Sequence, residues 1–378
     1  MNKKLVAVAV AGVLAAPLAA QAQTANVTLY GRLNLTMEAV SGSAVDPNLP
    51  ATASAQNRTI YRVNTNSSRL GVRGSEALGG GLSAIFQIES SIVADASGGT
   101  LAGRETFVGL QGSWGTFKMG YFLSPYDDIH PIFGNVPTLT TSILSTAALW
   151  AQGPQSNDNG GWDNRNPNSI RYDSPNMKGF TASAQLSTMD ASSAPGGTDA
   201  QAKRHAYIGS IAGFYNNGPF QGGIAYNWNQ KLRGAALNDQ ALSVAANWNF
   251  GVIKVGGVYE RLDYDTPTGS LKRNFWGISG TVPIGPGELY AFWGDAGDGS
   301  GSAANGTTVG QLRKGGGTGA TQWEVSYTYA LSKRTLTYAG IVQTRNDSNA
   351  AYNFNINPYQ VINGANASGF VVGLVHFF

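Results

Sequence analysis

The sequence predicts an all-β protein, a 16-stranded antiparallel transmembrane β-barrel. Three observations predict it. The chain carries an export signal and few charges, with no long apolar run after that signal. Apolar and polar residues alternate with a period of two. Short turns and long polar segments alternate along the whole chain, as they do in outer-membrane barrels.

The export signal comes first. "MNKK" is a short positive stretch, "LVAVAVAGVLAAPLAA" is apolar, and Ala20, Gln21 and Ala22 form a small-x-small cleavage site. Residues 1–22 therefore read as a cleaved signal peptide, and residues 23–378 as one barrel domain. Lys3 and Lys4 leave with the signal, so the formal net charge falls from +3 to +1, which argues against nucleic acid as a partner. Charged residues make up 12% of the chain, roughly half the share in an ordinary soluble domain. The absence of cysteine excludes disulfides, thiolate metal sites and cysteine nucleophiles.

The strands come next. In "TQWEVSYTYAL", Trp323, Val325, Tyr327, Tyr329 and Leu331 share one face, while Glu324, Ser326 and Thr328 share the other. "GFTASAQLST", "PFQGGIAYNWN" and "LSVAANWNF" divide in the same way. Short turns rich in Gly, Asn, Pro and Ser recur at 76–82, 112–117, 174–180, 215–220, 249–253, 283–289 and 330–336. Their flanking strands, with "NVTLYGRLNLTM" at the start and "SGFVVGLVHFF" at the end, bring the count to sixteen. Longer polar segments lie near 39–66, 90–103, 122–168, 188–204, 229–239, 261–273, 295–320 and 345–368. An even count with both ends on the short-turn side closes the sheet and removes its edges. Sixteen strands enclose water instead of packed side chains.

Residues 122–168 are far longer than an ordinary connection. They carry Pro125, Asp127, Asp128 and Pro131, then Ile132, Phe133, Leu149 and Trp150. So apolar a loop is expected to fold into the barrel lumen.

The matching stretches for a family are "VTLYGRLNL", "SSRLGVRGSEALGGGLSAIFQIES", "FVGLQGSWGTFKMGY", "NSIRYDSPNMKGF" and the closing "VVGLVHFF". In these the chain resembles the trimeric general porins of Gram-negative outer membranes, in particular the betaproteobacterial branch. The resemblance implies a homotrimer of sixteen-stranded barrels in the outer membrane whose third external loop narrows the pore. It also implies that the last strand, ending on Phe378, is the signal read by the barrel-assembly machinery. The chain departs from the family pattern in two respects. Tyr121 stands where an arginine is frequent, and Val375 and Phe377 stand where basic residues are frequent.

Strand parity assigns the lumen. Leu70 and Val72 belong to the lipid face, so Arg69 and Arg73 point inward. By the same rule Arg32, Lys118 and Arg171 point inward, because charges on a lipid face are costly. Asp127 and Asp128 of the long loop are expected to oppose this basic arc and set a transverse field that selects ions. Five cations against two carboxylates predict a water-filled channel for passive diffusion of ions and small hydrophilic solutes, with mild anion selectivity. The alternative is a substrate-specific outer-membrane porin with a binding site in its long loops.

No catalytic site is expected. Of the three histidines, His130 is in the long loop, His376 is in the last strand, and His205, in "KRHAY", has no apparent serine or carboxylate partner of the kind a barrel hydrolase needs at the rim. "RKGGGTGA" (313–320) lacks the Gly-Lys-Ser/Thr order of a phosphate loop. "GDAGDGSG" (294–301) reads as a flexible external loop and not as a calcium site, and no metal or cofactor is expected.

Overall fold

The structure, a computed structural model, describes residues 26–42, 59–134, 142–151, 162–189, 199–354 and 361–378. The expected signal peptide, residues 1–22, lies outside the described residues.

Sixteen strands form one closed antiparallel barrel. They are β1 Asn26–Gly42; β2, in two pieces, Ile60–Thr65 and Arg69–Gly79; β3 Leu82–Ile92; β4 Thr106–Gly112; β5 Gly115–Leu123; β6 Arg165–Asp173; β7 Phe180–Thr188; and β8 Tyr207–Asn217. They continue with β9 Phe220–Gln230, β10 Asn238–Asn249, β11 Lys254–Thr266, β12 Gly269–Ile284, β13 Gly287–Ala296, β14 Ala320–Ala330, β15 Thr335–Asn346 and β16 Ala367–Phe377. Each strand pairs with its successor. The last pairs with the first, from Arg32↔Phe377 to Gly42↔Ala367, which closes the ladder. A barrel is one of the two forms that satisfy every backbone N–H and C=O inside a bilayer.

The period of two is visible as exposure. On β16, Phe370 and Leu374 are half exposed, while Val371 and Val375 are buried. On β14, Gln322, Glu324 and Ser326 are buried and Val325 is exposed. Polar side chains inside and apolar ones outside is the inversion that a lipid surround requires.

All seven short turns lie where the glycine, proline and asparagine clusters put them. The long segments needed two corrections. Residues 261–273 are not a loop: β11 and β12 run through them and stay paired to Thr266↔Gly269, leaving Pro267 and Thr268 as the turn. Outward Arg261, Asp263, Asp265 and Lys272 gave that stretch a loop's polarity, but Leu262, Tyr264, Leu271 and Arg273 keep the alternation on the inner face and are fully buried. Residues 294–301 are not flexible either. The Asp298 carboxylate accepts N–H bonds from Gly317, Thr318 and Gly319, and Thr308–Val309 pairs with Leu312–Arg313 in the same loop.

Candidate functional site

The long β5–β6 loop lies on the inner wall from β8 to β16. It starts with a 3-10 turn, Asp127–Ile129, that runs into one α-helical turn, His130–Phe133. The Tyr126 amide donates to Ser210 Oγ on β8 at 3.1 Å, and Asn247 Nδ2 on β10 donates to the Ile132 carbonyl at 2.7 Å. Trp150 Nε1 donates to Ser243 Oγ on β10 at 3.0 Å. Ser279 on β12 and Tyr290 on β13 both donate to the Phe133 carbonyl. Gln322 Nε2 on β14 donates to the Ser145 carbonyl at 3.1 Å. On β16, Gly369 leaves room for Ile143, whose Cδ1 would lie 2.5 Å from an added Cβ.

The middle of this seam is a buried clamp. Glu260 on β11 accepts from Tyr126 Oη at 2.6 Å, from the Ala151 amide at 2.9 Å and from Arg273 Nη2 on β12 at 2.9 Å. Arg273 also donates to the Leu149 carbonyl at 2.6 Å. Glu260 and Arg273 are both 0% exposed. A buried ion pair of this kind holds position more than it adds stability.

The five basic candidates lie on β1, β2, β5 and β6, away from the strands that carry these loop contacts. None of them is isolated. Arg32 is nearly buried and donates to the carbonyls of Ser67 and Asn66, at the break in β2. Arg69 pairs with Glu89 at 3.4 Å, and Arg104 pairs with the same carboxylate at 2.6 Å. Tyr30 donates to Glu89 at 3.0 Å, and Arg73 stacks over the Tyr30 ring at 5.0 Å. Lys118 lies 3.4 Å from Asp173 and over the rings of Phe107 and Phe122. Arg171 pairs with Asp173 at 2.8 Å, donates to the Leu123 carbonyl, and pairs with Asp128.

Asp128 therefore touches the basic arc instead of facing it across a gap, and joins the loop's first turn to β6. Asp127 turns toward the loop itself, where it, His130 and Asp163 bring ligand atoms within 4.8 Å of one another. His130 Nε2 lies 2.9 Å from Asp163 Oδ1, and its ring packs on the Trp150 indole at 4.1 Å. Nothing in the sequence pairs His130 with Asp163, which lies 33 residues away.

The charges of this cluster tie loop docking to pH. Burial works against the His130 imidazolium, but Asp163, then Asp127 and Glu260, outweigh it and hold the ring at about 9. Burial, then the Asp163 carboxylate, pushes Asp127 up to about 7 against the pull of His130. Burial also raises Asp128, in spite of Arg171. The His130 contribution to docking is complete below its ordinary value of 6.5 and is lost as pH rises through 9. Asp127 has a raised value and binds its proton more tightly when the loop is docked, so its effect has the same sign: docking weakens as pH rises from 3.8 through 7. Backbone hydrogen exchange in residues 126–133 should therefore be faster at about pH 10 than at about pH 6, after correction for intrinsic rates. His130→Asn should flatten the upper part of that change. Equal protection at both pH values in the wild type would remove the link.

Residues missed by the sequence reading were legible in part. Glu89 follows outward Ile88 and so points inward with Gln87, and Glu260 follows outward Tyr259 in the same way. Arg104 lies in a connection with no period, and only the fold brings it to Glu89.

Comparison with known proteins agrees with this architecture. Residues 7–349 match the Gram-negative porin family. The chain belongs to the Gram-negative porin family. The porin is similar to outer membrane porin protein 32 of Delftia acidovorans, 29% identical over 355 residues that cover 92% of this chain and 90% of that one. It is also similar to the major outer membrane protein P.IA of Neisseria meningitidis, 29% identical over 255 residues that cover 60% of each chain. Among solved structures, the anion-selective porin from Comamonas acidovorans superposes with a TM-score of 0.72 at 24% identity, covering 94% of this chain and 100% of that chain. The porin is an outer-membrane β-barrel of a Gram-negative bacterium and forms a channel for passive diffusion. Its family and fold are those of channels, not of enzymes.

Proposed function

We propose that the porin is a general diffusion channel with a mild preference for anions, set on the β1–β6 wall by Arg32, Arg69, Arg73, Lys118 and Arg171 together with Arg104. One observation carries this reading. Along this wall Arg69 and Arg104 pair with Glu89, and Lys118 and Arg171 pair with Asp173 and Asp128, while Arg32 bonds to backbone carbonyls and Arg73 stacks on Tyr30, so six cations are set against these three carboxylates and positive charge is in excess. Low-dielectric walls focus such a field on passing ions. The anion-selective porin from Comamonas acidovorans supports the same sign. The channel works as a homotrimer, admits small hydrophilic solutes, and carries out no enzymatic step. Residues 1–22 are removed on export, and the last strand, with Phe378, addresses the chain to the assembly machinery.

The test is the zero-current potential across a planar bilayer under a salt gradient. Wild type should show anion preference that fades as salt rises, since screening acts over about 10 Å at 0.1 M. Arg69→Ser with Arg73→Ser should shift the potential toward cations with little loss of barrel stability, because Arg69 is only partly buried and Arg73 is exposed. A cation-selective wild type, or an unchanged potential in the double variant, would mean that this wall does not control the narrowest section.

A further inference from the structure

The lipid-facing side of β9–β12 carries charges that the channel does not use. On β11 the outward residues are Tyr259, Arg261, Asp263 and Asp265, in rising order toward the long-loop end. On β12 they are Trp276, Asn274, Lys272 and Ser270 in the same direction. Register sets Tyr259 beside Trp276, Arg261 beside Asn274, and Asp263 beside Lys272. The lower pair marks the upper limit of the hydrocarbon. Both rings are largely exposed, and the Tyr259 hydroxyl reaches up to Asn274 Oδ1 at 3.2 Å. Exposed aromatic rings whose polar atoms find polar partners are the signature of a membrane interface.

Directly above this belt the wall is indented. A depression of about 540 Å³ is lined by Trp228, Gln240, Asp263, Asp265 and Lys272, among others. Lys272 Nζ lies 3.0 Å from Asp263. Arg261 is exposed beneath it and, among the described residues, makes no ion pair or hydrogen bond. A guanidinium facing outward here is tolerable only because the cost of a charge falls steeply toward the interface. Its planar fork matches a phosphate group, and Lys272 stands diagonally above it on the next strand. The rest of the depression offers the Trp228 and Tyr226 rings and Ile211 beside side-chain amides and carboxylates, a mixture of stacking faces and hydrogen-bonding groups that suits sugar rings and hydroxyls.

We propose that this indentation holds the phosphorylated sugar headgroup of an outer-leaflet glycolipid, with phosphate on Arg261 and Lys272 and sugar against Trp228, Gln240 and Asp263. The lipid source follows from position: the site opens sideways, one strand step above the aromatic belt, where the headgroups of the surrounding leaflet lie. Free solutes in the lumen cannot reach it, because the inner face of the same strands is sealed by buried Leu262, Tyr264 and Leu271.

The experiment uses the full-length barrel in detergent, titrated with diphosphorylated lipid A and with its enzymatically dephosphorylated form, and read by native mass spectrometry. Wild type should retain the phosphorylated form in preference. Arg261→Gln with Lys272→Gln should lower its retention at least about tenfold, the scale expected for two lost charge-assisted hydrogen bonds. Single-channel conductance should be unchanged, because both side chains lie outside the lumen, and this also shows that the variant is folded. Equal retention of the two lipid forms by wild type, or equal retention by wild type and variant, would overturn the proposal. So would displacement of lipid A by millimolar inorganic phosphate alone, which would assign the site to a free anion. A change in oligomer size in the variant would assign the wall to a contact between copies of this chain, and would overturn it as well.

Discussion

Glu260→Ala should release the β5–β6 loop from the wall while leaving the barrel closed. The carboxylate gathers three donors, from Tyr126, Ala151 and Arg273, at 2.6 to 2.9 Å with no water access. Its removal leaves the Arg273 guanidinium buried without its counter-ion. Breaking one side of a buried pair costs about 3–5 kcal/mol, which offsets most of what the other six loop–wall hydrogen bonds contribute at about 1 kcal/mol each. The strand ladder does not depend on Glu260, because its backbone bonds to β10 and β12 remain. Single-channel records should therefore show a noisier conductance with a higher mean, and limited proteolysis should cut within residues 124–151. The double variant Glu260→Ala, Arg273→Met should recover much of the thermal stability, because no unpaired charge remains. It should not recover quiet conductance, because Tyr126 and Ala151 still lack their acceptor. A quiet Glu260→Ala channel of wild-type conductance would show that the loop is held by its apolar contacts, Trp150 and Phe133 foremost, and not by the clamp.

Removal of Phe378 should lower the amount of assembled barrel far more than the amount synthesised. Phe378 closes the lower end of the β1–β16 seam. Its carbonyl accepts from the Gly31 amide at 2.9 Å, and its amide donates to the Gly31 carbonyl at 3.1 Å. Its ring covers Gly31 so closely that an added Cβ would sit 2.5 Å from Cζ. Without it, two backbone groups on β1 lose their partners at the rim of the seam, where each unsatisfied group in lipid costs several kcal/mol. The check is pulse-labelling followed by heat-modifiable migration on gels, which separates folded from unfolded chain. Assembly at the wild-type rate would reduce Phe378 to a packing residue.

The two results would bear on different parts of the protein, and they differ in how visible they were beforehand. Strand number, closure and the inside–outside assignment were legible in the sequence. A bilayer imposes one rule on every spanning residue, and that rule has a period of two, so Leu70 and Val72 fix the direction of Arg69 and Arg73 without any knowledge of their neighbours. The same rule would have found Glu89 and Glu260. It failed to do so at 261–273, where polarity was read as a loop although Leu262, Tyr264, Leu271 and Arg273 kept the beat. Outward polar residues look like loop residues because headgroups, like water, accept charge.

What faces what across the lumen was decided only by tertiary structure. The sequence by itself put Asp127 and Asp128 on an apolar loop and led to the expectation of five inward cations. It could not determine that Asp128 would bind Arg171 while its neighbour turned away to His130 and Asp163, or that Arg104 would join Arg69 on Glu89. Strand pairing is local and periodic, so each residue carries its own evidence. The loop's path has no period: it is fixed by contacts between residues 177 positions apart, such as Ser145 and Gln322, and further, such as Ile143 and Gly369. Such contacts exist only once the barrel has closed around them.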